Sequence, residues 1–148
     1  VEIAGDHRFD APRDVVWEAL LDPKALKASM PGCEKMEPTG PAAWDLTIKV
    51  GIAAIKGTYS GTVKLADEKP KDSYRLVVSG SGKPGTVQGD ALMVLTDDGA
   101  GTLVKYTGDV KAQGAIARLG SRLLAGTAKL MIGQFFRAME KQVGQRVA

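Results

Sequence analysis

Few of the 148 residues carry side chains suited to acid–base, metal or nucleophilic chemistry. The single histidine, His7, stands near Asp6 and Asp10 at the end of an apolar-alternating stretch. General acid–base work needs a histidine or paired carboxylates in a dry pocket, and His7 reads instead as a partly exposed structural residue. The single cysteine, Cys33, follows Pro31-Gly32 with no histidine close in sequence, and reads as a small apolar filler. One cysteine and one distant histidine do not make the three or four ligands of a zinc site. Gly80-Ser-Gly-Lys-Pro-Gly85 is as glycine-rich as a phosphate loop. It lacks the strand–loop–helix setting and the Lys-Ser/Thr ending, so it reads as a hairpin turn. Binding has better material. Tyr59 and Tyr106 each offer a hydroxyl able to bond a ring carbonyl, and they alternate into the same apolar faces as Leu76, Val78 and Met93. Pockets for lipophilic molecules are built this way, mostly apolar with a few placed polar groups.

Those residues need a sheet to hold them. From Cys33 onward the apolar period is two. Leu46, Ile48 and Val50 alternate with polar residues, then Ile55 to Leu65, Tyr74 to Gly80, Val87 to Leu95 and Val104 to Ala112 do the same. Short turns at Gly51–Ala54, Glu68–Asp72, Gly82–Gly85 and Asp97–Gly101 make these strands an antiparallel meander. One face is apolar and one polar, as in a sheet covered on a single side. Gly57, Gly61, Gly80, Gly89 and Gly108 dot the apolar face. Glycines inside strands mark bends or the close approach of another element. Ahead of the meander, Val1 to Phe9 reads as a first strand. Two short helices follow it, one started by Asp10 as N-cap with Pro12 in its first turn, the other capped by Asp22-Pro23.

The covering element is the stretch Gly114 to Val143, read as one helix of about thirty residues, roughly 45 Å long. Wound at about 100° per residue, it gathers Ile116, Leu119, Leu123, Leu124, Leu130 and Met131 in one apolar stripe. Arg118, Arg122 and Lys129 fall on the far side, with Ile132 and Phe136 also pointing away from the stripe. Gly120, Gly126 and Gly133 sit in its interior, where each costs roughly 0.8–1.0 kcal/mol relative to alanine. Five lysines or arginines and no acid occur between Asp109 and Glu140.

Composition bounds the rest. At this length one domain, residues 1–148, is expected, large enough to bury a core without disulfides. A net charge of +3 with a pI near 9.0 is only mildly basic. No clustered aromatics or nucleic-acid-binding module accompany it, so nucleic acid is not an expected partner. One cysteine suits a reducing compartment. No apolar run approaches the roughly eighteen residues of a membrane span, and no signal peptide opens the chain. A cytoplasmic protein is therefore expected, with peripheral membrane contact left open.

The order strand, two short helices, meander, long C-terminal helix resembles the helix-grip architecture of the START and birch-pollen-allergen superfamily. Phe9-Asp-Ala-Pro-Arg-Asp-Val-Val-Trp-Glu-Ala-Leu-Leu-Asp-Pro23 is similar to that superfamily's opening signature. Met30-Pro-Gly-Cys-Glu34, Gly57-Thr-Tyr-Ser-Gly61 and Gly120-Ser-Arg-Leu123 followed by Gln134-Phe-Phe136 resemble the carbon monoxide dehydrogenase G-subunit family. The resemblance implies an α+β fold, a curved antiparallel sheet of about seven strands around the long helix, with a hydrophobic cavity between them. It further implies a non-catalytic accessory of a molybdenum carbon monoxide dehydrogenase or related oxidase. Such a protein would hold a quinone, menaquinone or ubiquinone, and link the oxidase to the inner face of the cell membrane.

Two sets of residues follow from these readings. Tyr59, Leu76, Val78, Met93 and Tyr106 from the sheet, with Leu119, Leu123, Leu130 and Met131 from the helix, are expected to line the cavity. Ile52 and Ile55 in the apolar tip Val50–Lys56, with Arg118, Arg122, Lys129 and Phe136, are expected to meet a membrane or partner. A recruitment or assembly factor whose cavity is filled by side chains is the alternative, and a small cyclase or hydrolase ranks below both.

Overall fold

The computed structural model describes residues 1–52 and 55–147. Strand β1 (Glu2–Phe9) is followed by α1 (Arg13–Leu21) and α2 (Pro23–Ser29). Strands β2 (Cys33–Gly40), β3 (Ala43–Val50), β4 (Gly57–Lys69), β5 (Ser73–Gly82), β6 (Gly85–Asp98) and β7 (Gly101–Gln113) then run as a meander. A 3-10 segment, Gly114–Leu119, leads into α3 (Ser121–Val147). All seven strands belong to one curved antiparallel sheet in the order β1-β7-β6-β5-β4-β3-β2. The helix-grip expectation holds: α+β, seven strands, two short helices after the first strand, and a long C-terminal helix.

Register carries the alternation of the sequence onto one face. Tyr59 faces Ile48, Val63 faces Val78 and Met93 faces Tyr106 across neighbouring strands. The concave side thus collects Trp44, Leu46, Val63, Leu65, Tyr74, Met93, Leu95, Val104 and Tyr106, all buried. Against it pack Phe9, Val16, Leu20 and Leu26 from β1, α1 and α2, and Phe135, Phe136, Met139 and Val143 from α3. Fully burying a side chain of this size stabilises the fold by about 1.5–3 kcal/mol. The core therefore lies toward the end where α1, α2 and the C-terminal half of α3 meet. A second, smaller cluster of Val50, Ile55, Tyr59 and Ile116 forms at the other end of the sheet.

Local capping differs from expectation at α1. Pro12 is its N-cap residue and supplies no side-chain bond, while Asp10 pairs with Arg8 outside the helix. At α2 the expectation holds, with the Asp22 carboxylate accepting from the Lys24 amide at 3.1 Å.

The thirty-residue helix is corrected. Gly120, at φ 85° and ψ 161°, interrupts it. That conformation is open essentially to glycine alone, so Gly120 is a break between two elements and not a costly interior residue. The apolar stripe wound through it loses its common phase. Within α3, Phe135, Phe136, Met139 and Val143 set the buried side. Leu123 and Leu130 then turn away from the sheet, 56% and 47% exposed, while Phe136 is only 2% exposed.

Candidate functional site

Between the two apolar clusters the concave face of β5, β6 and β7 is incompletely covered. Leu76 and Val78 of β5, and Val87 and Ala91 of β6, point to the helix side yet are only half-buried. Gly89 lies among them, paired with Val78 on one side and Val110 on the other. A Cβ at Gly89 would find no atom within 4 Å. The floor here is therefore an open apolar concavity in an otherwise packed layer. From above, Leu124, Ala125, Ala128 and Met131 of α3 face it, all half-buried. Small residues on both sides, alanines above and glycine below, keep helix and sheet from closing on each other.

Leu76 and Val78 stand at the concavity, and Met131 is half-buried beside the smaller cluster. Leu119 also stands near it, packed beside the smaller cluster from its 3-10 segment. Met93, Tyr59 and Tyr106 are buried in its walls. Leu123 and Leu130 are not part of it, because they project from the opposite side of α3. Val87, Gly89, Ala91, Leu124, Ala125 and Ala128 take their place. The phase of Phe135, Met139 and Val143 carries the signal that finds the helical members, since those residues lie on the uninterrupted part of the helix.

The two tyrosine hydroxyls are used differently. Tyr59 donates to the Ile55 carbonyl at 2.6 Å, tying β4 to the tip between β3 and β4. Tyr106 packs over β1, where a Cβ on Gly5 would stand 2.5 Å from its hydroxyl oxygen. A side chain at position 5 would push the end of the ring aside. Burial raises both phenols above their ordinary value, with the nearby Asp6 charge adding to the effect at Tyr106. Both therefore stay protonated at neutral pH, with the Tyr59 proton already committed to the Ile55 carbonyl.

The expected contact surface is also redrawn. Phe136 is removed from it, since its ring stacks under His7 at 5.2 Å and meets Phe9 and Tyr106 at 6.0 and 5.9 Å. Ile55 is buried in the smaller cluster and Ile52 is half-buried beside it. Ala53 and Ala54 of the expected tip lie outside the described residues. Arg118, Arg122 and Lys129 are exposed.

The groups capable of bond-making chemistry stand apart from the concavity. His7 is half-buried, and its Nε2 bonds Glu140. Partial burial pushes the Cys33 thiol up from its ordinary value, outweighing the opposing pull of Lys27; an activated thiolate needs the reverse. Among the described residues no three His, Cys, Asp or Glu side chains are grouped to hold a metal ion. Two surface depressions, of about 660 Å³ on the convex face near Arg75 and Asp90 and about 520 Å³ near Gly32, Cys33 and Lys56, lie outside the space under α3. No described helix is long and apolar enough to cross a membrane.

Known proteins share this fold. A sequence-family model for the G subunit of carbon monoxide dehydrogenase (CoxG) matches residues 5–144. A conserved protein from Geobacillus kaustophilus, known from its crystal structure, is 32% identical. Its TM-score is 0.94, with 98% of this chain and 96% of that one covered. A START superfamily protein from Mycobacterium smegmatis, 12% identical with a TM-score of 0.78 and 97% of each chain covered, shares the fold. No curated protein matches this chain in sequence.

Proposed function

Because this chain belongs to the CoxG family, named for the G subunit of carbon monoxide dehydrogenase, we propose that it is a non-catalytic accessory protein that holds a lipophilic ligand between α3 and the sheet. The open apolar floor at Gly89, walled by half-buried Leu76, Val78, Val87 and Ala91, carries the reading. In a sealed core such residues would be fully buried, and an unfilled apolar space costs stability in proportion to its volume. A bound apolar molecule removes that cost.

A quinone, menaquinone or ubiquinone, fits the lining. Its isoprenoid tail is apolar, as are the walls, and a ring carbonyl can accept from a neutral tyrosine hydroxyl such as that of Tyr106, the Tyr59 proton being held by the Ile55 carbonyl. When bound, the ring supplies an acceptor for electrons from a molybdenum oxidase of the carbon monoxide dehydrogenase type. In this reading the chain's own residues bind and shield it. Membrane exchange fits the end of the molecule where Ile52 and Leu119 are half-buried and Arg118 and Arg122 are exposed. Cations near an anionic bilayer surface contribute about 1 kcal/mol each. The place of action would then be the inner face of the cell membrane.

A second reading is a membrane-recruitment or assembly factor that carries no ligand. It is favoured by the two surface depressions, both of which lie away from the space under α3. Native mass spectrometry of the purified protein, before and after incubation with menaquinone or ubiquinone, separates the two. The carrier reading expects a mass increment matching a lipophile that solvent extraction removes. No increment and no uptake of either quinone leaves the recruitment reading.

A further inference from the structure

The outward side of α3 has a pattern that the ligand site does not use. Leu123 and Leu130, seven residues apart and thus on one line of the helix, are the most exposed large apolar residues besides Val147. Gly126 and Gly133, also seven apart, run beside them. A Cβ at Gly126 would meet nothing within 4 Å. At Gly133 the only near atom is the Arg137 guanidinium, 3.5 Å away. The face is thus two apolar knobs beside two notches, the second with a cation at its rim.

From Arg122 to Arg137 the charge on this face is of one sign. Arg122, Lys129 and Arg137 are exposed along it, and no acid occurs between Asp109 and Glu140. The carboxylates that α3 and its surroundings do bring together are engaged elsewhere, Glu140 with His7 and Asp22 with Arg146. Each glycine costs a helix about 0.8–1.0 kcal/mol relative to alanine. A fluid bilayer moulds itself to any side chain and gives nothing back for a notch. A rigid protein surface does, because small residues let two backbones approach closely. A second copy of the chain would bring the same cations onto themselves.

We propose that this face of α3 docks an acidic surface of a partner protein, apolar groups seating against Leu123 and Leu130 and carboxylates meeting Arg122, Lys129 and Arg137. The inference deepens the accessory role and rests on it, since it names the surface by which the chain engages an oxidase.

The test is binding of the full chain to an immobilised molybdenum carbon monoxide dehydrogenase holoenzyme, measured by interferometry. Gly126→Leu should raise Tm by a few degrees, since it replaces an exposed helical glycine, yet weaken docking by about tenfold or more by filling the notch. Leu123→Ser with Leu130→Ser, and Arg122→Glu with Lys129→Glu, should each weaken docking to a similar degree. Unchanged binding of these variants overturns the proposal, as does failure of the unsubstituted protein to bind. It is also overturned if the substitutions abolish capture by vesicles of phosphatidylcholine with phosphatidylglycerol, or disperse a dimer seen in sedimentation, while sparing the oxidase. Native mass spectrometry of each variant reports on the ligand separately. Docking lost in a protein still carrying its lipophile is a failure of the interface alone; docking that persists in a ligand-free protein sustains the interface and counts against the carrier.

Discussion

The Tyr59 hydroxyl donates to the Ile55 carbonyl at 2.6 Å, so the residue that opens the buried face of β4 also holds the segment before it in place. Both residues belong to the small apolar cluster with Val50 and Ile116, apart from the main core. Tyr59→Phe keeps the ring and removes only this bond. It should lower stability by about 0.5–1.5 kcal/mol in chemical denaturation. Trypsin should also cut faster after Lys56, the exposed lysine beside Ile55, and an unchanged cleavage rate would argue against the tie.

The two sides of α3 should respond to truncation very differently. Phe136→Ala removes a ring stacked on His7 and enclosed by Phe9, Tyr106 and Phe135, and should cost about 3–5 kcal/mol. Leu123→Ser, on the exposed side, should change stability by no more than about 0.5 kcal/mol. Thermal unfolding of the two variants side by side checks the helix phase directly. Comparable losses would mean that Leu123 faces inward after all.

Glycines offer a third check. Gly120→Ala places a Cβ at φ 85° and ψ 161° and should cost about 1–3 kcal/mol. Gly89→Leu has room on the concave side and no positive φ to strain it. It should leave Tm unchanged or higher while abolishing retention of a lipophile in native mass spectrometry. Ligand retained at the unsubstituted level by Gly89→Leu would place the site elsewhere.

Alkaline pH should unfold the protein in a way that one tyrosine dominates. Tyr74 is fully buried against Trp17, and burial raises its phenol far above the ordinary value of 10.0. A group whose folded pKa lies above its unfolded one contributes stability that is complete below the unfolded pKa. Stability is then lost as pH rises from about 10 toward the folded value, by about 1.4 kcal/mol per pH unit. Tyr74→Phe should flatten that slope between about pH 10 and 11. Denaturant midpoints that fall equally steeply in the variant would remove Tyr74 as the cause.

Strands and their facing are legible in the sequence because a period of two survives turns, so Leu76, Val78, Met93 and Tyr106 each point where alternation places them. The helix is less so, because periodicity counts residues and does not see backbone breaks. A continuous winding phases Ile116 and Leu119 with Leu123 through Gly120, and that one positive φ rotates everything before it. The same winding turns Phe136 outward, whereas it is a central member of the core. Gly120 could equally be an interior glycine or a stop, and nothing local to it distinguishes the two. The open floor at Gly89 is half visible, as one glycine among five on the apolar face. Which of those five leaves space and which is filled, as Gly61 is by the Ser79 backbone and Gly108 by Ala91, depends on neighbouring strands.

The separateness of the small cluster has one further consequence. Val50, Ile55, Tyr59 and Ile116 are its only buried members among the described residues, and the 3-10 segment opens at Gly114 and ends before Gly120, both with positive φ. Such a unit can open as a foldon of its own, at a free energy well below that of global unfolding. Amide hydrogen exchange would then show Ile55 and Ile116 losing protection together while Val63, Val104 and Met139 keep theirs. Traffic of a lipophile through this end would be set by a local, sub-global fluctuation, leaving the His7–Phe136 end as a fixed frame.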